Sequence, residues 1–463
     1  MTTITSEELL ELADERKFLT IKETLAEYNP IDIAELFAEI PPERVAPLFR
    51  LLPKELAADT FVEMDTDLQE KLITGFSDYE LRSLVAELYV DDTVDIIEEM
   101  PANVVKRILV SADSSMRSDI NEILKYPKNS AGSIMTTEYV TLRPGMTVAE
   151  AFERIRQIGP DSETIYTCFV TSKDKKLLGT VSVKELLLAK KDTVIEELMT
   201  ENTIFAYTDE DREVTANRLR DYGFMVLPVV DKEERLVGIV TVDDALDVIT
   251  EESEEDFSKM AGVVPTETPY IKTSVWKLWK ARIPWLMLLM VSATFTGAII
   301  SSFEQSLAAI PVLIGFIPML MDTGGNSGSQ ASVSVIRAIS LGDVTIKDLF
   351  RVLFKEVRVG LLCGACLAVC NLVKMFLVDA LILRNLHINV VKDLMVMVTV
   401  SLTLALTVVI AKMVGALLPL LAKAIRLDPA VMAAPLISTL VDAISLLVYI
   451  GLSMVFVLPL AAG

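Results

Sequence analysis

Residues 435–450 read PLISTLVDAISLLVYI, an apolar run with one carboxylate, Asp442, near its middle. A helix of ~20 apolar residues spans a bilayer, and an Asp at its centre costs about 2.5–3.5 kcal/mol on insertion scales. Two readings remain open: a protonated Asp hydrogen-bonded inside a bundle, or a cation ligand in a water-filled path. No basic residue lies within a turn of Asp442, which favours the second. Outward from this run, five candidate spans fall roughly at 283–303, 311–340, 357–381, 393–421 and 430–459. Pro284 suits the first position of the first span. Lys272, Lys277, Lys280 and Arg282 precede that span, Lys347, Arg351, Lys355 and Arg358 fill the second linker, and the C-terminus holds no Lys or Arg. That bias predicts an N-terminus inside and a C-terminus outside, as an odd number of spans requires.

The second span carries Asp322-Thr323-Gly324-Gly325-Asn326-Ser327-Gly328-Ser329-Gln330. Its glycines let backbones approach closely, and its oxygen-rich side chains suit a hard cation that keeps most of its waters. Asn326, Gly325 and Gly328 are therefore candidates, with Asp442, for lining an ion path. Close helix packing alone is the competing account. A phosphate cradle would require GxxxxGK[ST], which is absent. Cys363, Cys366 and Cys370 share helical spacing in an apolar run and read as small packing residues. The single histidine, His387, leaves almost no material for zinc or triad chemistry, and no enzymatic activity is expected.

Charge divides the chain near residue 270. Residues 1–270 hold 56 acidic and 28 basic side chains, a net −28, whereas 271–463 hold 9 and 15, a net +6. So negative a surface attracts cations and repels nucleic acid. The N-terminus lacks the basic and apolar pattern of a secretory signal, so the acidic region is expected in the cytoplasm, with the apolar region in the inner (plasma) membrane.

A repeat runs through the acidic region. Ile134-Met135-Thr136 matches Leu198-Met199-Thr200, and Leu178-Gly179-Thr180-Val181 matches Val237-Gly238-Ile239-Val240. Each copy reads helix, strand, polar turn, strand, helix. The pair resembles tandem cystathionine-β-synthase (CBS) domains, a family whose Gly-h-h-Thr-x-x-Asp motif contacts the ribose of adenine nucleotides. The second copy matches through Thr241 and Asp244. The first carries Ser182 and Glu185, so the resemblance implies one ATP site at most. Residues 7–130 read as short amphipathic helices with prolines at their junctions. Asp32 to Pro41 echoes Asp92 to Pro101, a repeat suggesting a stack of helices.

Carboxylates cluster at Asp91, Asp92, Asp95, Glu98 and Glu99, and again from Asp243 to Asp256. Asp247, Glu251 and Glu255 share a helix face at i, i+4 spacing, where like charges repel. Such a face is either simply solvated or a switch that divalent cations close by neutralising it.

Taken in order, the chain resembles the MgtE family of magnesium channels, most specifically at Gly324–Gln330 and in the span with Pro435 and Asp442. The resemblance implies a multidomain fold: an all-α superhelical N domain (1–130), an α/β tandem CBS pair (131–258), a connecting plug helix (259–282) and an all-α five-helix transmembrane domain (283–463). It further implies a homodimer whose second and fifth spans line the pore, with Asp442 holding hydrated Mg2+. Asp91, Asp95, Asp247, Glu251 and Glu255 fall where the family's regulatory Mg2+ binds. Transport of Co2+, Ni2+ or Mn2+, or of an anion, is the alternative.

Overall fold

The computed structural model describes residues 4–266, 270–271, 273–304, 311–383, 390–432 and 434–459; His387 lies outside them. The chain divides into two compact units, Met1–Thr250 and Glu251–Gly463.

The first unit opens with helices α1 (Ser6–Asp14) to α10 (Ser114–Ile123), each 8 to 10 residues long. Helices this short are marginal alone, so their apolar faces must stabilise one another. Leu9, Ile21, Phe37, Phe61, Leu72 and Ile97 are among the side chains that do so. Prolines at the first turn start α3 (Pro30–Ala38) and α4 (Pro42–Phe49). Capping boxes start α1 and α7 (Asp78–Val85), through Thr5 with Glu8 and Ser77 with Glu80. The internal echo corresponds to α3 and α8 (Val90–Glu99), each followed by a proline and a further helix, α4 and α9 (Ala102–Ser111).

Two similar repeats follow. The first comprises β1 (Tyr139–Leu142), α11 (Val148–Ile158), β2 (Thr164–Thr171), β3 (Leu177–Ser182) and α12 (Val183–Leu188). After the short α13 (Ile195–Leu198), the second comprises β4 (Ala206–Tyr207), α14 (Arg212–Tyr222), β5 (Val226–Val230), β6 (Leu236–Thr241) and α15 (Val242–Met260). Each sheet has three strands, the outer pair to one side parallel and the hairpin antiparallel. The repeated Met-Thr pairs hold the copies together reciprocally. Thr136 exchanges backbone hydrogen bonds with Ile239 of the other copy, at 2.8 and 2.9 Å, and Thr200 does so with Thr180, at 2.8 and 3.1 Å. Close approach explains the glycine found in the second hairpin strand of both copies. A Cβ at Gly238 would stand 2.9 Å from the Thr136 carbonyl, and one at Gly179 2.7 Å from the Thr200 carbonyl.

The second unit holds the long helices α16 (Val275–Ser302), α17 (Ile317–Ser340), α18 (Leu349–Lys374), α19 (Val391–Ala424) and α20 (Ala434–Phe456). Among the described residues, four segments are long and apolar enough to cross a membrane: Val275–Ser302, Ile346–Ile382, Val391–Ala424 and Pro429–Phe456. Helix α17 is a fifth long helix, with 24 residues, and carries the Asp322–Gln330 polar stretch.

Two expectations change here. No single helix covers 259–282: α15 runs unbroken to Met260, Gly262 turns left-handed (φ 70°), and α16 starts at Val275 behind a Ser274 N-cap. A glycine in the left-handed region and Pro265 just beyond it are ordinary helix terminators. Pro284 does not open the first span but lies within α16, because the Ser274 hydroxyl accepts from the Lys277 amide and starts the helix earlier in the chain.

Candidate functional site

In the membrane unit, glycines bring α17 against α19 and α20. A Cβ on Gly324 would meet Ser445 Oγ at 2.7 Å and Thr407 Cγ2 at 2.8 Å, and one on Gly328 would meet Ile437 Cγ2 at 2.8 Å. A Cβ on Gly325 would meet Ser438 Cβ and Oγ at 3.3 Å, and Gly415 of α19 abuts the Gly328 carbonyl. Gly324, Gly325 and Gly328 are thus buried packing positions, and what they do here is let three helices approach more closely than any side chain would permit. Asn326 and Asp322 occupy the exposed face of the same helix, where the Asn326 amide donates to Asp322 Oδ1 at 3.2 Å.

Asp442 lies nine residues into α20 and is half-buried. Its neighbour Val441 packs on both Gly324 and Gly328, which sets the carboxylate at the level of the glycine stretch. Among the described residues it has no hydrogen-bond or ion-pair partner. Asp379, also in an apolar segment, is by contrast paired with Lys374 at 3.2 Å. That pair and the buried Lys412 of α19, 5 % exposed, are not among the residues expected from sequence, although an ionisable residue inside an apolar run is itself the signal that finds them.

The end of α15 is tied to the membrane helices. Lys259 Nζ lies 2.6 Å from Asp428 Oδ2 and 2.5 Å from Glu255 Oε1. Asp428 also accepts from the Ala430 amide at 2.8 Å, in the turn leading into α20, and Ser340 donates to Asp256 at 3.3 Å. Glu255, a candidate regulatory ligand, is therefore in an ion pair.

In the first unit a second acidic site forms where the helical stack meets the repeats. Asp91 and Asp92 open α8, whose Val90 amide donates to Glu138 Oε2 at 3.0 Å. Burial first, then the Asp244 carboxylate, pushes the Asp91 carboxyl well above its ordinary 3.8. The same causes raise Asp92 to about 7 and Glu163 to about 8. Burial also raises Asp244 to about 6, although a hydrogen bond from Thr241 opposes it. Asp91 and Asp244 stand in acidic runs that the sequence displays. Glu138 and Glu163, distant along the chain, give no such signal, because only the fold of β1 and β2 carries them to the cluster. Asp95 and Asp247 are exposed on α8 and α15, and Glu251 and Glu255 continue the α15 face. Among the described residues no three acidic, histidine or cysteine side chains converge closely enough to hold a metal ion.

The nucleotide motif is ordered by its own residues. Thr241 Oγ1 donates to Asp244 Oδ2 at 2.5 Å at the start of α15, as Ser182 and Glu185 do in the capping box of α12. A carboxylate beside a hydroxyl suits the two hydroxyls of a ribose. A triphosphate near Asp91 and Asp92 would need accompanying cations.

Long apolar helices joined to an acidic helical stack and a pair of three-stranded repeats define a multi-pass membrane transport protein. The family comparisons agree region by region: the MgtE divalent cation transporter family matches residues 317–452, its intracellular N domain 28–129, and CBS domains 131–192 and 195–251. The magnesium transporter MgtE of Thermus thermophilus is 37 % identical over 78 % of both chains, and that of Bacillus subtilis 32 % identical over 79 % of this chain and 78 % of its own. A crystal structure of the cytosolic domain of the Mg2+ channel MgtE in complex with ATP aligns with TM-score 0.50 at 36 % identity, covering 52 % of this chain and 99 % of that one. This chain belongs to the MgtE family.

Proposed function

We propose that this chain is a magnesium channel of the inner membrane, a five-span homodimer with a cytoplasmic N-terminus, in which Asp442 of each subunit holds a hydrated Mg2+. The observation that carries this reading is the unpartnered, half-buried Asp442 beside a polar, glycine-thinned helix. Two such carboxylates facing one axis repel unless a divalent cation balances them, which favours Mg2+ over monovalent ions. Asn326 lines the path, and Gly325 and Gly328 set its width by allowing α17 to lie on α20. The flux needs no ATP: a doubly charged ion entering down a 100 mV potential gains roughly 4.6 kcal/mol, at ~2.3 kcal/mol per charge. Co2+, Ni2+ and Mn2+ have the same charge and are the natural competitors.

Such a pore requires closure. Cytoplasmic Mg2+ neutralises the acidic faces of α8 and α15, through Asp91, Asp95, Asp247, Glu251 and Glu255, and compacts the region. The Lys259–Asp428 contact passes that state to the turn preceding α20. ATP at Thr241 and Asp244 biases the compact state. The test is Mg2+ uptake into proteoliposomes: Asp442→Asn abolishes uptake while the dimer persists, and undiminished uptake removes Asp442 from the path.

A further inference from the structure

Lys412 lies 12 residues before the end of α19 (424 − 412), about 18 Å along the helix at ~1.5 Å per residue and beyond the reach of its own side chain to that end. It is 5 % exposed, and among the described residues it makes no hydrogen bond or ion pair. A buried ammonium in an apolar helix is strongly disfavoured unless something answers its charge.

What surrounds it suggests the answer. Lys412 lines an open pocket of about 550 Å³ with Asp322, Asn326 and Gln330 of α17 and Cys363 and Cys366 of α18. At ~30 Å³ per water that space takes on the order of ten or more waters. Asp322 is the carboxylate on its wall. A helical side chain leans towards its own N-terminus. The contacts of Gly324 with Thr407 and of Gly328 with Ala411 show that α17 and α19 run the same way, so Lys412 leans towards the level of Asp322. Asn326 stands between: a carboxylate only accepts, so the Asn326 amide nitrogen must face Asp322, as it does at 3.2 Å. Its carbonyl oxygen is then left to accept from an ammonium.

We propose that Lys412 is the built-in counter-charge of Asp322, linked to it through Asn326 and pocket water. The α17 carboxylate is thereby neutralised from within the bundle, and Asp442 remains the carboxylate available to a passing cation. The second clause rests on the channel reading above; the pair itself does not. Lys412 and Asp322 are positioning residues, and their coupling shows in stability.

The experiment is a double-mutant cycle on the full chain in detergent, read by thermal unfolding. Lys412→Met and Asp322→Asn each leave one charge stranded and lower Tm by about 2–6 °C. The double variant removes both charges and recovers most of that loss. Losses that simply add, or single variants that match the parent, overturn the pairing. Should either single variant fail to accumulate, a chain retaining Cys366 as its only thiol supplies a second readout. Anionic and cationic methanethiosulfonates, each scaled to a free thiol, label Cys366 at rates within about threefold if the pocket is balanced. A larger preference for the anionic reagent exposes an unanswered ammonium and overturns the proposal. Neither readout involves transport, so Asp442→Asn retaining uptake would defeat the channel reading and leave the pair standing.

Discussion

Asp92, Glu163 and Asp244 are ordinary carboxyls whose surroundings make them proton-hungry. Each is half-buried beside others of its kind, and their values rise to about 7, 8 and 6 from 3.8, 4.5 and 3.8. In the unfolded chain those ordinary values return, so the folded state binds protons more tightly between about pH 4 and 8. Its stability is greatest below the ordinary values and declines as pH rises through the raised ones. Without divalent ions, the melting temperature of the acidic region should therefore fall by several degrees from pH 5.5 to 8. Saturating Mg2+ should flatten that dependence, because a divalent ion stands in for the protons. For the same reason Mg2+ binding near pH 7 should release protons. Calorimetry in buffers of different ionisation enthalpy reads this directly, and a binding heat independent of buffer would mean these carboxyls are not the ligands. Asp91 and Asp244 are visible in the sequence as members of charge runs. Their meeting is not, since nothing local joins α8 to the start of α15.

Among the elements, the glycine-bearing helices are the most constrained. Gly415 against the Gly328 carbonyl leaves no room for a methyl group without backbone movement. Gly415→Ala should thus destabilise the membrane unit by about 1–3 kcal/mol, the usual range for overpacking, and should impair transport through the displaced α17. Gly238→Ala, clashing with the Thr136 carbonyl, should loosen the CBS pair while leaving the membrane helices intact. Limited proteolysis distinguishes the two, and unchanged protection in both would remove close approach as the reason for these glycines. The CBS pair is legible because its repeat is written into Met135-Thr136 and Met199-Thr200 and their glycine partners. The apolar spans are legible from length alone. The connection over 259–282 is not, because its breaker, Gly262, is one residue in an otherwise helical pattern, and because α16 starts from Ser274, ahead of the apolar run. Lys412 is legible as a charge inside the 34 residues of α19, but its meeting with Asp322 and Asn326 is not, since only the packing of α17 on α19 brings them to one pocket.

At the scale of the whole molecule, an electronegative region of net −28 is joined to a membrane bundle of net +6. In the proposed reading the first senses the ion that the second carries. Neutralising Asp247, Glu251 and Glu255 together should leave the channel conducting at millimolar internal Mg2+, where the parent is closed; closure that survives would reduce that face to a solvated surface. Lys259→Ala should act differently, weakening the link between the two states rather than the sensing of Mg2+, so that Mg2+ still protects the acidic region from protease while current persists. The account is tested most directly by patch-clamp recording of the purified protein with Mg2+ varied only on the cytoplasmic side. It predicts an inward Mg2+ current at low internal Mg2+ that shuts as the concentration rises. A current carried by anions, or a Mg2+ current indifferent to the internal concentration, would contradict it.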